Sequence, residues 1–131
     1  MCLLLAIDPD PVSQQSLECL CDRFGMDIVI AGNLSEGIKI YKQRPVDLIV
    51  IDLFLPQKSG FSFIAEITSK ETHPPIIATF YADRAPRINI KRFAHMLGAS
   101  YTFEKPFDHR LFQQAVGDLV PYLQSSSPEK D

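Results

Sequence analysis

The chain has 131 residues, a formal net charge of -3 and a hydrophobic fraction of 46%. This length predicts one domain that buries a core without disulfide or metal support, and the acidic balance argues against direct nucleic-acid binding. No apolar stretch reaches the roughly 18 residues of a membrane span, and no basic segment opens a secretory signal, so we expect a cytoplasmic protein.

Strand-like and helical segments alternate along the chain. We predict strands at 2–8, 27–31, 47–52, 75–80 and 100–103, and helices at 11–25, 35–44, 60–70, 86–97 and 108–123. Such alternation is typical of βαβ units, which form a parallel sheet, and right-handed crossovers place helices on both of its faces. We therefore expect an α/β fold of the flavodoxin-like (βα)5 type, a three-layer sandwich whose five-stranded parallel sheet has the order 2-1-3-4-5.

Local signals mark several helix boundaries. Asp10 before Pro11 predicts an N-cap with proline at the first helical position, and Asn33 resembles the cap of the second helix. In the last helix, apolar residues recur every four positions and predict an inward stripe of Leu111, Ala115, Leu119 and Leu123.

The chain divides by composition into a domain and a short tail. Residues 1–123 carry the alternating pattern, whereas residues 124–131 are small and polar, as in a tail or the start of a linker. The three cysteines are odd in number and are expected to be reduced structural thiols rather than a zinc site. They are Cys2, Cys19 and Cys21.

Charged residues stand at the carboxyl ends of three predicted strands. Asp8 follows the first strand, Asp52 closes the third and Lys105 follows the fifth. In open α/β sheets these ends meet at one edge, where ligands bind. We therefore expect Asp8, Asp52 and Lys105 to converge, with Asp10 nearby.

Converging carboxylates predict a bound cation and a reaction with phosphorus. Like charges raise one another's pKa unless a cation intervenes, and Mg²⁺ prefers carboxylate oxygens as ligands. A carboxylate beside Mg²⁺ can attack phosphorus to form a mixed anhydride, and Lys105 could neutralise the charge on a phosphoryl oxygen. The bond before Pro106 is a candidate cis peptide that would aim this lysine.

From Leu3 to about Leu123 the chain resembles the receiver domain of two-component response regulators. The resemblance rests on motifs in the expected order: the acidic end of the first strand (Leu3 to Asp10), Ile51-Asp52-Leu53-Phe54-Leu55-Pro56 with Gly60, Pro75-Ile76-Ile77-Ala78, and Leu97-Gly98-Ala99 through Lys105-Pro106-Phe107. It implies a signalling domain that is not an enzyme.

The resemblance also implies roles for individual residues. Asp52 would accept a phosphoryl group from a histidine kinase or phosphotransfer protein, Asp8 would line the acidic pocket, and Lys105 would contact the phosphate. The Phe54 carbonyl would bind Mg²⁺. An output partner would use the surface of helix 4, strand 5 and helix 5. Self-association as a homodimer is a further expectation.

Three positions depart from the family pattern. Pro9 stands where a second acid usually follows the first strand, so we expect weakened Mg²⁺ binding, with Asp10 occupied as a cap. Counting from Pro75, the hydroxyl position falls on Phe80; Thr79 could replace it only through a bulge or register shift, because neighbouring strand residues face opposite sides. Thr102 occupies the position of the switch aromatic.

Alternative functions remain open on these residues. The departures motivate a second hypothesis, a pseudo-receiver, which would use the same fold as a protein-interaction module independent of phosphate. Asp8-Pro9-Asp10 also looks like the motif of haloacid-dehalogenase-type phosphatases, with Asp8 as nucleophile. Flavin binding is disfavoured because the first turn lacks a small, glycine-rich run.

The predicted fourth helix carries a basic face with no interrupting acid. It is interpreted as a solvated surface or, alternatively, as a docking surface for an acidic partner. Its residues are Arg84, Arg87, Lys91, Arg92 and His95.

Overall fold

A computed structural model of the chain describes residues 2–56, 59–84 and 89–121. The strands are β1 (Leu3–Ile7), β2 (Asp27–Ala31), β3 (Leu48–Asp52), β4 (Ile76–Tyr81) and β5 (Tyr101–Lys105). The helices are α1 (Pro11–Phe24), α2 (Leu34–Gln43), α3 (Gly60–Thr68), α4 (Ile90–Leu97) and α5 (His109–Leu119), and a 3-10 turn at Ala82–Arg84 follows β4.

All strand pairs are parallel, and the sheet order is β2-β1-β3-β4-β5. The predicted α/β architecture and strand order are therefore confirmed. β1 lies between β2 and β3, so the order of the strands reverses there, and the carboxyl ends of β1 and β3 border the crevice that this reversal creates.

Alternating side chains divide the apolar interior into two cores. Leu5, Ile7, Ile49 and Ile51 pack with residues of α2, α3 and α4, which we call the α2–α4 core. The intervening side chains pack with α1 and α5 in the α1–α5 core, which includes Leu4, Ala6, Leu48, Val50, Leu17, Phe112 and Val116. Because β1 and β3 are covered on both faces, they read as continuous apolar runs rather than as alternating ones.

Most predicted boundaries are shifted by one or two residues. Asp10 caps α1, and Asn33 accepts the Glu36 N–H at the start of α2, as expected. Gly25 adopts the left-handed conformation (φ 68°) that ends α1, so it lies outside the helix. The bounds of the predicted fourth helix were wrong at the start: Asn89 caps a helix that begins at Ile90, and residues 86–88 lie outside the described residues.

Two strands are longer at their carboxyl ends than predicted. β4 continues to Tyr81 and β5 continues to Lys105, since these two residues are still paired with each other across the sheet. The extra residues carry polar side chains, which the apolar pattern could not distinguish from a loop.

The predicted inward stripe of α5 is partly wrong. Leu111 is exposed, whereas Phe112, Ala115 and Val116 are buried. The four-residue spacing drifts around a helix with 3.6 residues per turn, so the true buried face also uses the three-residue step from 112 to 115. Leu123 and the predicted tail lie outside the described residues.

Over the described part of the chain, no helix is both long enough and apolar enough to span a bilayer. Cys2, Cys19 and Cys21 are free thiols there, and burial raises the pKa of Cys21 to about 12.

Candidate functional site

Three strand ends bring two acids and a lysine to one edge of the sheet. Asp8 follows β1, Asp52 ends β3 and Lys105 ends β5. By strand alternation, all three side chains lie on the face of the α1–α5 core, since residues two positions earlier, such as Ala6 and Val50, belong to it. The predicted convergence of these residues is therefore present in the structure.

The Lys105 ammonium bridges the two carboxylates. Its Nζ donates to Asp8 Oδ2 at 2.7 Å and to Asp52 Oδ2 at 2.9 Å. Asp8, Asp52 and Lys105 are only 1%, 2% and 4% exposed. Water screens a buried pair poorly, so the lysine is the counter-charge that allows two acids to lie this close.

Backbone donors hold the other oxygen of each carboxylate. The Asp10 N–H donates to Asp8 Oδ1 at 2.9 Å, and the Phe54 N–H donates to Asp52 Oδ1 at 2.8 Å. Among the described residues, no buried side-chain nitrogen or oxygen lacks a hydrogen-bond partner. Both acids are thus fixed in orientation by the chain that follows their strands.

Burial and pairing shift the pKa values of Asp8 and Lys105. Burial raises the pKa of Asp8 above 3.8, because it outweighs the hydrogen bond from Lys105. Burial alone would lower the pKa of Lys105, but its bonds to Asp8 and Asp52 raise the pKa above 10.5. The lysine therefore stays protonated at neutral pH and provides a fixed positive charge beside Asp52.

The Asp10 carboxylate accepts three hydrogen bonds from nearby donors. Oδ1 accepts the Val12 N–H at 3.2 Å, as expected of an N-cap, and Oδ2 accepts the Ser13 hydroxyl at 2.8 Å and the Tyr81 hydroxyl. Burial disfavours this charge, but the bonds from Tyr81 and Ser13 outweigh it and lower the pKa of Asp10. Asp10 is therefore ionised at neutral pH, and both of its carboxylate oxygens accept hydrogen bonds.

The register of β3 and β4 places Thr79 directly beside Asp52. Cα partners in parallel strands share a face, so Thr79 reaches the Asp52 side without a bulge or a register shift, contrary to our expectation. Its hydroxyl donates to the Ile51 carbonyl at 3.4 Å. Phe80 packs into the α2–α4 core instead, and Thr102, the partner of Ala78, is half-buried.

An open pocket of about 410 Å³ lies beside these carboxylates. It is lined by Pro9, Asp10, Pro11, Asp52, Tyr81 and Asp83. Sequence reasoning missed Tyr81 and Asp83, because both follow the segment that was predicted as β4. The Tyr81 ring lies 4.9 Å from Lys105 Nζ, so it packs over the ammonium as a cation–π partner.

The carboxylates beside this pocket fit a divalent ion, but they supply fewer ligands than three acidic side chains would. Asp8 and Asp52 offer hard carboxylate oxygens, but Asp10 is turned toward Tyr81 and Ser13. Accordingly, the described residues contain no group of three or more histidine, cysteine or acidic side chains arranged to hold a metal. Two carboxylates suit an Mg²⁺ ion that keeps several waters, with the Phe54 carbonyl as a further predicted ligand.

The segment after β5 begins with a cis Lys105–Pro106 peptide bond. Phe107 then packs against Phe112 of α5, with ring centroids 4.9 Å apart. These contacts join the lysine-bearing strand end to the α1–α5 core.

The basic face of the fourth helix is only partly described. Lys91, Arg92 and His95 are exposed on α4. Arg87 and the side chain of Arg84 lie outside the described residues. The docking interpretation therefore stays a prediction.

Curated proteins resemble the chain in sequence along most of its length. The chain is 25% identical over 124 residues to a probable transcriptional regulator ycf27 of Porphyridium aerugineum, covering 95% of this chain and 50% of that protein. It is 28% identical to a probable C4-dicarboxylate response regulator, DctR, of Bacillus subtilis, covering 92% and 53%. The chain thus spans about half the length of these curated relatives.

Solved structures share the fold at low sequence identity. A two-component response regulator from Clostridium difficile superposes with a TM-score of 0.82 at 22% identity, covering 97% of this chain and all of that one. The chemotaxis response regulator CheY4 of Vibrio cholerae gives a TM-score of 0.76 at 20% identity, covering 92% and 99%. The family model described as the response regulator receiver domain matches residues 4–117. The chain therefore belongs to the receiver-domain family of two-component response regulators.

Proposed function

We propose that this receiver domain accepts a phosphoryl group on Asp52 in a phosphorelay. The observation that carries the proposal is the buried Lys105 ammonium 2.9 Å from Asp52 Oδ2, at the open edge of the sheet. An Asp52 oxygen would form the new P–O bond while the P–N bond of a phosphohistidine donor breaks, and the departing imidazole takes up a proton from solvent. The donor would be a histidine kinase or a phosphotransfer protein.

Each neighbour of Asp52 has a part in this proposal. Lys105 would remain charged and neutralise a phosphoryl oxygen, and Asp8 would hold that lysine in place. Mg²⁺, bound by Asp8, Asp52 and the Phe54 carbonyl, would supply further charge neutralisation. Thr79 is the candidate hydroxyl for phosphate contact, since it is the register partner of Asp52.

The test is phosphorylation by a small donor such as acetyl phosphate with Mg²⁺. We expect intact-mass measurement to find one added phosphoryl group on the wild type and none on Asp52→Asn. Asp22→Asn is a matched control, because Asp22 is exposed near the end of α1, away from the site. A wild type that stays unlabelled at saturating Mg²⁺ would refute the proposal.

A phosphate-independent pseudo-receiver is the second candidate. It is favoured by one observation, the engagement of Asp10 by Tyr81 and Ser13, which removes a carboxylate from metal binding. The two candidates differ in the labelling experiment above. The phosphatase interpretation gains nothing from the site, since the open pocket is lined by Asp52 and not by Asp8.

The output surface also belongs to the proposal. We expect a cytoplasmic signalling domain, not an enzyme, that contacts its output partner or a second copy through α4, β5 and α5. Lys91 and His95 are exposed there. Charge reversal by Lys91→Glu should weaken the binding of an acidic partner, whereas Lys39→Glu on exposed α2 should not.

A further inference from the structure

Tyr81 contacts both Asp10 and Lys105 at the open pocket beside Asp52. Its hydroxyl donates to Asp10 Oδ2, and its ring lies 4.9 Å from Lys105 Nζ. The two strands that carry Tyr81 and Lys105 pair these residues directly, so the ring position follows from the sheet register. Tyr81 therefore joins the end of β4 to the start of α1 across the opening.

Asp10 lines the pocket, but this contact occupies its Oδ2. Ser13 donates to the same oxygen at 2.8 Å, and Val12 N–H occupies the other. Pro9 adds a second restriction, since the residue after Asp8 carries no acid. Asp10 is thus the nearest further carboxylate on this segment, and its release requires the loss of the bond from Tyr81.

We infer that Tyr81 is a latch on this pocket: its hydroxyl occupies Asp10 Oδ2, and breaking that bond frees this oxygen to bind a divalent cation beside Asp52. The inference deepens the proposed function and rests on its assignment of the pocket. Tyr81 is a positioning residue here, because it acts through Asp10 rather than by touching the cation.

Removal of the hydroxyl alone provides the test. Tyr81→Phe keeps the ring over Lys105 and removes one of the three hydrogen bonds that Asp10 accepts, so a lone pair of Asp10 Oδ2 becomes available to a cation while the bonds from Ser13 and Val12 remain. We expect the Mg²⁺ dissociation constant to fall about tenfold, because hydrogen bonds to charged groups change equilibrium constants by roughly that factor or more. An NMR titration of the Asp10 and Phe54 amides measures it without phosphoryl transfer.

Tyr101→Phe is the matched control. Tyr101 also donates to a carboxylate, Asp118 Oδ2 at 2.6 Å, but this exposed pair joins β5 to α5 away from the pocket. Its Mg²⁺ affinity should equal that of the wild type. In an Asp10→Asn background, Tyr81→Phe should give no gain, because the freed ligand is then absent.

Two results would overturn the latch. One is an unchanged Mg²⁺ affinity in Tyr81→Phe, and the other is a gain that persists with Asp10→Asn. The wild type alone provides a further measurement. During the Mg²⁺ titration, the Tyr81 ring resonances should shift together with the Phe54 amide resonance. Tyr81 ring resonances that do not change would contradict the latch. Tighter Mg²⁺ binding in Tyr81→Phe without phosphorylation of Asp52 would instead sink the proposed function alone.

Discussion

Gly60 lies directly against the main chain of Asp52. A Cβ at Gly60 would stand 2.7 Å from the Asp52 carbonyl oxygen and 3.1 Å from Leu53 Cα. Since both neighbours are backbone atoms, no side-chain rotation could relieve the contact. The first residue of α3 thus determines how closely that helix approaches the proposed phosphoacceptor.

We expect Gly60→Ala to destabilise the protein by about 1–3 kcal/mol, the usual cost of overpacking, and to shift the Asp52 amide resonance. Gly32→Ala is the control, because a Cβ there meets nothing within 4 Å. Urea unfolding measures both variants. Equal urea midpoints for the two alanine variants would show that the start of α3 moves away from Asp52 at little cost in stability.

Lys105→Met should be the most damaging single change in the pocket. It leaves Asp8 and Asp52 buried without their shared cation, and breaking a buried pair costs about 3–5 kcal/mol. Lys91→Met removes a lysine from exposed α4 and should change stability by less than about 0.5 kcal/mol.

The same urea unfolding experiment at neutral pH compares Lys105→Met with Lys105→Met/Asp8→Asn. The second change removes one of the two unpaired acids, so part of the lost stability should return. A Lys105→Met protein as stable as Lys91→Met would mean that the ammonium contributes nothing to the fold.

The raised pKa of Asp8 predicts a pH dependence of stability. Burial makes the native state hold this proton more tightly than the unfolded state, whose pKa is near 3.8. The contribution of Asp8 to the free energy of unfolding must therefore decrease as pH rises through the interval between 3.8 and the raised native pKa. Above that interval the contribution is constant.

The difference in unfolding free energy between wild type and Asp8→Asn isolates this group. It should decline as pH rises from about 4 toward neutrality. A wild type that gains stability over Asp8→Asn across this range would reverse the sign and contradict the burial argument.

A row of aromatic rings connects Asp52 to α4. The Phe54 N–H binds Asp52, the Phe54 ring meets Phe61 edge-on at 6.1 Å, and Phe61 lies 4.9 Å from Phe93. These ring contacts are continuous from the β3 end to α4, so we expect a change at Asp52 to reach α4 by this route.

We expect a phosphoryl mimic such as beryllium fluoride with Mg²⁺ to shift the Phe93 amide in the wild type. Phe61→Leu should reduce that shift while leaving the shift at Phe54. Phe24→Leu is the control, because Phe24 packs against the α1–α5 core at the end of α1. An undiminished Phe93 response in Phe61→Leu would show that the signal travels elsewhere.

Periodicity and strand-end chemistry were sufficient for the fold and for the centre of the site. Apolar runs ending in Asp8, Asp52 and Lys105 predicted their meeting, because parallel strands present their carboxyl ends at a single edge. The Asp10 cap was predictable for a similar reason: capping depends on a few adjacent residues.

Contacts between distant segments were not predictable in this way. Thr79 was expected to need a bulge, but the register of β3 with β4 places it beside Asp52. Tyr81 reaches Asp10 over 71 positions of sequence, and Leu111 faces solvent although its spacing suggested burial. Local patterns carry no information on which strands align at which residue.

The order of residues thus determined the alternation of strands and helices and the charges at the strand ends, since both depend on local spacing and on chain topology. Tertiary structure alone decided which donor each charge receives: Lys105 for Asp8 and Asp52, Tyr81 for Asp10. Those pairings depend on register and side-chain packing, and they become defined only when the strands have assembled.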